Sequence, residues 1–227
     1  MVMKIIAECG CNWKDIDEAK EMIKKCGEVK VDLVKFQLFS RRYALDNKIP
    51  VYLSVEYDQA KELFDYGKSI KQEVFFTAFD VERLDWAFEF GVKYFKLRFA
   101  DRHHTELLMA IDEFVALHPI NWFASVDNSK FRTEYYLFMK NRIGVDVWPK
   151  NLTQLFCSPE YPASISPYIA QLNQFNSFSD HTPDLRLLKI GKILNFGWVE
   201  KHVKLNDDCL ESEWSVNIDD LGEVING

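Results

Sequence analysis

Two runs near the end of the chain decide its reading: Phe175-Asn176-Ser177-Phe178 leading into Ser179-Asp180-His181-Thr182-Pro183, and Gly197-Trp198-Val199-Glu200-Lys201-His202-Val203. Between them, Asp184 to Asn195 repeats Leu187, Leu188, Ile190, Gly191 and Leu194 at helical spacing. Strand, helix, strand is the unit of a parallel sheet. Each strand carries a histidine near its C-terminal end. In a barrel of parallel strands those ends share one face, so His181 and His202 are placed to act as paired nitrogen ligands for one divalent metal. Two hydrogen-bonded histidines at strand ends are the alternative, because a closed metal site needs more than two protein ligands.

The same alternation extends back to the N-terminus. Strands are expected at Lys4–Cys9, Leu33–Gln37, Glu73–Phe79, Tyr94–Phe99, Asn121–Val126 and Thr153–Ser158. Helical patterns separate them. Ile16, Ala19, Met22, Ile23 and Cys26 form one stripe, and Leu107, Leu108, Ile111, Phe114 and Val115 form another. Leu38 to Val55 reads as a loop before a helix at Glu56–Lys71, and Tyr168 to Leu172 as a short helix. Eight strands with intervening helices predict an α/β protein, a single (βα)8 TIM barrel. The expected domain is 1–227, with the barrel at about 4–203 and a tail at 204–227 whose helix starts near Asp219.

Composition bounds the function. The 227 residues are 48% hydrophobic and 28% charged, as in ordinary globular chains. A net charge of −7 argues against nucleic acid as a partner, since phosphate backbones select a basic face. No apolar run approaches the length of a membrane span, and the N-terminus does not read as a signal peptide, so a cytoplasmic location is expected. The five cysteines are odd in number and irregularly spaced, which suits reduced thiols. Cys9 and Cys11 form a C-x-C without a second pair, a poor zinc site. Lys35 and Lys96 stand inside strands, where a lysine needs an anion, either a protein carboxylate or a bound ligand.

In order along the chain, several motifs resemble the sialic acid synthase family: Ile5-Ile6-Ala7-Glu8-Cys9-Gly10-Cys11-Asn12, Val34-Lys35-Phe36-Gln37, Phe75-Phe76-Thr77-Ala78-Phe79-Asp80, Phe95-Lys96-Leu97, Cys157-Ser158-Pro159-Glu160-Tyr161-Pro162, Ser179-Asp180-His181-Thr182 and Glu200-Lys201-His202. The resemblance implies a barrel that condenses phosphoenolpyruvate with an N-acylated aldose to a 2-keto-3-deoxy sugar acid. It implies Mn2+ or Mg2+ on His181 and His202. Lys35 and Lys96 would reach the carboxylate and phosphate of phosphoenolpyruvate, and Glu8 would act as general acid/base, with an ion pair to Lys35 as its rival role. Thr77, Ser158, Tyr161 and Ser179 would hydrogen-bond substrate, with Asp180 and Arg98 also at the substrate.

Departures from the family pattern point to a shifted substrate. Trp13-Lys14-Asp15 follows Asn12 where the family has a histidine and a glycine. Arg98, Phe99, Ala100 and Asp101 replace small residues and a glutamate, and Pro159 replaces a hydrogen-bonding side chain. Ser125-Val126-Asp127-Asn128 is only faintly similar to the family's turn after the fifth strand. The acidic position beyond the last strand is Glu211 or Glu213. The family commonly carries a C-terminal antifreeze-like domain; none is expected in a chain ending at Gly227, so a homodimer would use another surface. His103-His104 lie on the expected active face, as solvated loop or as an extra ligand. Two other readings remain: a non-catalytic or regulatory barrel binding metal or sugar phosphate, and a pyruvate-dependent metal aldolase or lyase.

Overall fold

The computed structural model describes residues 2–118, 120–143 and 151–227. Eight parallel strands form its centre: β1 (Lys4–Glu8), β2 (Leu33–Leu38), β3 (Val74–Ala78), β4 (Tyr94–Leu97), β5 (Asn121–Val126), β6 (Leu152–Cys157), β7 (Phe178–Asp180) and β8 (Trp198–Lys204). Each pairs with the next, and β8 returns to β1 with Lys4 opposite Trp198 and Glu8 opposite His202. The sheet therefore closes, as expected for a (βα)8 barrel.

Side-chain parity sorts the strand residues. Ile6, Leu33, Phe75, Phe123 and Leu155 point inward as a separate buried cluster, with Tyr94 and Trp198 packed on it. Phe123 meets Trp198 at 5.1 Å and Phe75 at 6.0 Å between ring centroids. This aromatic plug fills the lower lumen. Truncating one such ring would cost about 3–5 kcal/mol. The opposite parity, including Val34, Phe36, Phe76, Phe95 and Val199, packs against the helices as the main core.

The helices are α1 (Ile16–Glu28), α2 (Arg41–Asp46), α3 (Tyr57–Ser69), α4 (Val81–Phe90), α5 (Thr105–Leu117), α6 (Phe131–Ile143), α7 (Ser166–Ala170), α8 (Arg186–Leu194) and α9 (Ile218–Asn226). Local chemistry sets several of their ends. Asp15 and Asp80 cap α1 and α4 by accepting from Glu18 N and Arg83 N. Gly91, at φ 81°, closes α4 in the left-handed region. His104 caps α5, its Nδ1 accepting from Leu107 N at 3.2 Å. His104 is thus a helix cap, and His103 is exposed.

Three local expectations differ from the structure. The segment after β2 holds α2 and a 3-10 turn at Val51–Leu53 where a loop was expected. Ser40 caps Tyr43 N at 3.0 Å, a signal too short for a periodicity argument. Strand β7 begins at Phe178 rather than Phe175, because the Phe175 amide is committed to Gln171 O at 3.0 Å. The tail adds a ninth strand, β9 (Val216–Asn217), which pairs beside Val203 and Lys204 at the end of β8. Helix α9 then docks on α1, where Lys25 pairs with Asp219 at 3.0 Å. A Cβ on Gly222 would lie 2.6 Å from Val29 Cγ1, so the approach needs glycine.

Candidate active site

Above the aromatic plug the inward positions change character. Glu8, Lys35, Thr77, Lys96, Ser125, Cys157, Ser179 and Glu200 succeed the apolar layer and line a cavity of about 570 Å³ at the C-terminal ends of the strands. Arg98, Tyr161, His181, His202, Glu211 and Trp214 continue its wall toward solvent. This is the face on which barrels of this kind build their sites.

Glu200 is the hub. Its Oε2 accepts from Lys35 Nζ at 2.8 Å, and its Oε1 accepts from Lys96 Nζ at 2.6 Å and Ser179 Oγ at 2.7 Å. Burial opposes ionisation of Glu200, but the two ammoniums outweigh it and hold the carboxyl well below its usual range. Lys35 is pushed down to about 7, chiefly by burial, with the Glu200 charge working against that fall. Glu8 completes the group, with Oε2 2.5 Å from Lys35 Nζ. Its Oε1 accepts from Gly10 N at 2.8 Å and Gln37 Nε2 at 3.1 Å.

The buried lysines thus have their counter-anion inside the protein. Sequence reasoning missed it, although Glu200 shares the parity of His202 two residues on and must face the same lumen. The desolvation argument for an external anion at Lys35 and Lys96 is met by Glu200 instead. Two other polar wall groups stand out. Thr77 Oγ1 is buried without a hydrogen-bond partner. Arg98 lies flat against Phe79, 3.5 Å from the ring centroid, forks onto Asp101 and donates to Tyr43 Oη at 2.9 Å.

The two histidines stand side by side, ring centroids 5.4 Å apart. His181 Nδ1 is 2.8 Å from the Ser158 carbonyl, which can only accept, so the proton sits on Nδ1 and Nε2 carries the lone pair, with Cys157 Sγ 3.9 Å from it. Burial first, and the neighbouring His202 second, hold His181 well below its ordinary pKa, so the ring stays neutral. His202 Nδ1 faces Glu211 Oε2 at 3.0 Å, which frees its Nε2 in the same way. Glu213 is exposed, so Glu211 is the acidic residue the tail delivers. Tyr161 stacks on His181 with centroids 3.9 Å apart.

These residues fit a divalent ion. Two imidazoles sharing one ion through ~2.1 Å bonds place their centroids about 4.5–5.5 Å apart. Among the described residues no three His, Cys, Asp or Glu side chains form a metal-holding group, so a bound ion would keep positions for other ligands. Cys157 Sγ lies 3.8 Å from His181 Nδ1 and 3.9 Å from its Nε2, and burial pushes this thiol up to about 11.

Two expected substrate contacts sit elsewhere. Asp180 has the parity opposite to Ser179 and His181 and points out of the lumen. There it pairs with Lys201 at 3.4 Å and accepts from Thr182 N at 2.8 Å. Ser158 contributes its carbonyl to His181, while its Oγ faces Glu160 N at 3.4 Å. Neither is among the cavity-lining residues.

The NeuB family model matches residues 22–227. The N,N'-diacetyllegionaminic acid synthase of Campylobacter jejuni subsp. jejuni serotype O:2 is 24% identical over 230 residues, spanning 89% of this chain and 67% of that protein. An N-acetylneuraminic acid (sialic acid) synthetase from Leptospira borgpetersenii serovar Hardjo-bovis, solved in complex with citrate, superposes with a TM-score of 0.82 at 21% identity, covering 99% of this chain and 82% of that one. A truncated 3-deoxy-D-arabino-heptulosonate 7-phosphate synthase from Thermotoga maritima shares the fold at a TM-score of 0.66 and 10% identity, covering 99% and 84%. At these identities the solved structures speak for the fold, and the family match speaks for descent: the chain belongs to the NeuB family, the sialic-acid-synthase-like condensing enzymes.

Proposed function

We propose that the barrel condenses phosphoenolpyruvate with an aldose of the N-acylated sugar class, giving a 2-keto-3-deoxy sugar acid and inorganic phosphate, with Mn2+ or Mg2+ required. The observation that carries this reading is the adjacency of two imidazoles, each with its Nδ1 taken by an acceptor oxygen, to the Lys35–Glu200–Lys96 group in one cavity.

The geometry supports these roles. His181 and His202 would hold the ion, which supplies Lewis-acid polarisation of a carbonyl. Lys35 and Lys96 present positive charge to the carboxylate and phosphate of phosphoenolpyruvate, and Arg98 offers its remaining N–H groups at the rim. Thr77 Oγ1 and Ser179 Oγ give neutral hydrogen bonds, and Tyr161 walls the sugar side. The C2–C3 π pair of phosphoenolpyruvate forms the new bond to the aldehyde carbon. Glu8 Oε2, paired with the Lys35 ammonium, takes a proton from it and passes it to the resulting alkoxide. Water adds at C2 and gives one proton back to the Glu8–Lys35 pair; the C–O bond then breaks, phosphate leaves with the bonding electrons and takes the C2 hydroxyl proton, and C2 becomes the ketone.

Phosphate release from phosphoenolpyruvate, measured with Mn2+ across a panel of N-acylated and plain aldoses, tests this. No release with any aldose would overturn it. Aldose-dependent pyruvate consumption without phosphate would indicate the aldolase reading, and Mn2+ binding with neither reaction a binding barrel.

A further inference from the structure

The tail beyond β8 reaches back into the site in one defined way. Glu211 places Oε2 3.0 Å from His202 Nδ1, with both side chains largely buried at 12% and 6% exposure. The backbone that carries this carboxylate is held by the start of the chain. Glu211 N donates to Asn12 Oδ1 at 2.9 Å, and Asn12 Nδ2 donates to both Val203 O and Ser215 Oγ at 2.8 Å. Ser215 Oγ in turn donates to Glu211 O at 2.7 Å. Asn12 thus ties the ends of β1 and β8 to both sides of the Glu211 loop, and its side chain is 2% exposed.

Gly10 makes the dock possible. It sits at φ 44°, in the left-handed region, and an added Cβ would lie 2.1 Å from Glu211 Oε2 and 2.9 Å from its Cδ. The carboxylate occupies the space that any other residue at position 10 would fill. All three atoms met belong to the end of the Glu211 side chain, so what yields is the carboxylate that touches His202.

The geometry points to Glu211 as a positioning residue: docked by Gly10 and Asn12, it fixes the His202 imidazole as the Nδ1–H tautomer and turns the Nε2 lone pair into the cavity. In free imidazole the opposite tautomer competes, and a proton on Nε2 blocks ligation. A carboxylate behind a ligating histidine removes that competition and fixes the ring plane. The effect on metal binding rests on the metal reading above; the effect on the tautomer does not.

Imidazole 15N spectra of the metal-free protein, with His202 assigned by loss of its signals in His202→Gln, read the tautomer directly. Wild type is expected to show protonated Nδ1 and bare Nε2. Glu211→Ala and Gly10→Ala are expected to show mixed tautomers, and Glu211→Gln, which keeps an acceptor oxygen, partial rescue. Mn2+ dissociation constants, from the electron paramagnetic resonance of the free ion, are expected to rise roughly 10- to 100-fold in Glu211→Ala. The Gly10→Ala/Glu211→Ala pair is expected to be no weaker than Glu211→Ala alone, because both remove one contact. Should Gly10→Ala fail to fold, Glu211→Ala and Glu211→Gln carry the test. A wild-type His202 protonated on Nε2, or a Glu211→Ala tautomer equal to wild type, overturns the inference. A Glu211-dependent tautomer in a wild type that takes up no Mn2+ would instead sink the metal reading and leave the positioning role standing.

Discussion

Lys96 on β4 and Glu200 on β8 meet across the barrel lumen, Nζ to Oε1 2.6 Å, from strands half a circuit apart. Lys35 joins from β2, so one carboxylate braces three strands. Each partner is almost completely buried, and the trio is both wall and floor of the cavity.

Removing the hub should therefore be expensive. Glu200→Gln removes the carboxylate that Lys35 and Lys96 share and leaves Glu8 beside Lys35 alone, and a loss of about 3–5 kcal/mol is expected from denaturant unfolding. Adding Lys96→Met should recover part of that loss. An unchanged midpoint for Glu200→Gln would mean the lysines find water or another anion.

The Lys35 ammonium, pushed down to about 7 from 10.5 mainly by burial, gives a pH dependence with a fixed sign. Between those values the unfolded chain holds a proton that the folded chain lacks, so stability rises with pH across about 7 to 10.5. Binding of an anionic substrate runs the other way, since the charge is lost as pH climbs through 7. KM for phosphoenolpyruvate should rise above neutral pH, and Lys35→Arg, always charged, should flatten that rise. A flat wild-type profile would count against a neutralisable Lys35.

Metal content tests the histidine pair. His181→Ala and His202→Ala should each abolish stoichiometric Mn2+ uptake in equilibrium dialysis, because among the described residues no third His, Cys, Asp or Glu joins the pair in a metal-holding group. Retention of the ion by either variant would place it elsewhere.

Thr77→Val separates stability from function. The Oγ1 hydroxyl is buried and unpartnered, so an apolar isostere should leave stability unchanged or raise it by about 1 kcal/mol. If the hydroxyl serves substrate, KM should rise roughly 5- to 10-fold for loss of one hydrogen bond of about 1 kcal/mol or slightly more. Loss of stability with unaltered kinetics would assign Thr77 to the fold alone.

Arg98→Lys keeps charge but gives up the fork onto Asp101 and the contact with Tyr43. A rise of about 10-fold in KM for phosphoenolpyruvate with little change in the unfolding midpoint is expected if the guanidinium serves an anion. Equal effects on both would make it a structural brace between the ends of β3 and β4.

The linear chain was enough to determine the alternation of strands and helices, because apolar periodicity and caps are local. The lumen-facing parity of Trp198, Glu200 and His202 follows from spacing alone, since a strand cannot turn neighbouring side chains to one face. Parity also sends Asp180 outward to Lys201 while Ser179 and His181 face in, a distinction that motif matching overlooked. Tertiary structure decided the partners. Glu200 answers Lys35 and Lys96 from 165 and 104 residues away. Glu211, rather than Glu213, reaches His202 because Gly10 leaves it room and Asn12 holds its loop. Such pairings depend on barrel closure and on how the tail folds back, which bring distant residues together without leaving a periodic trace in the sequence.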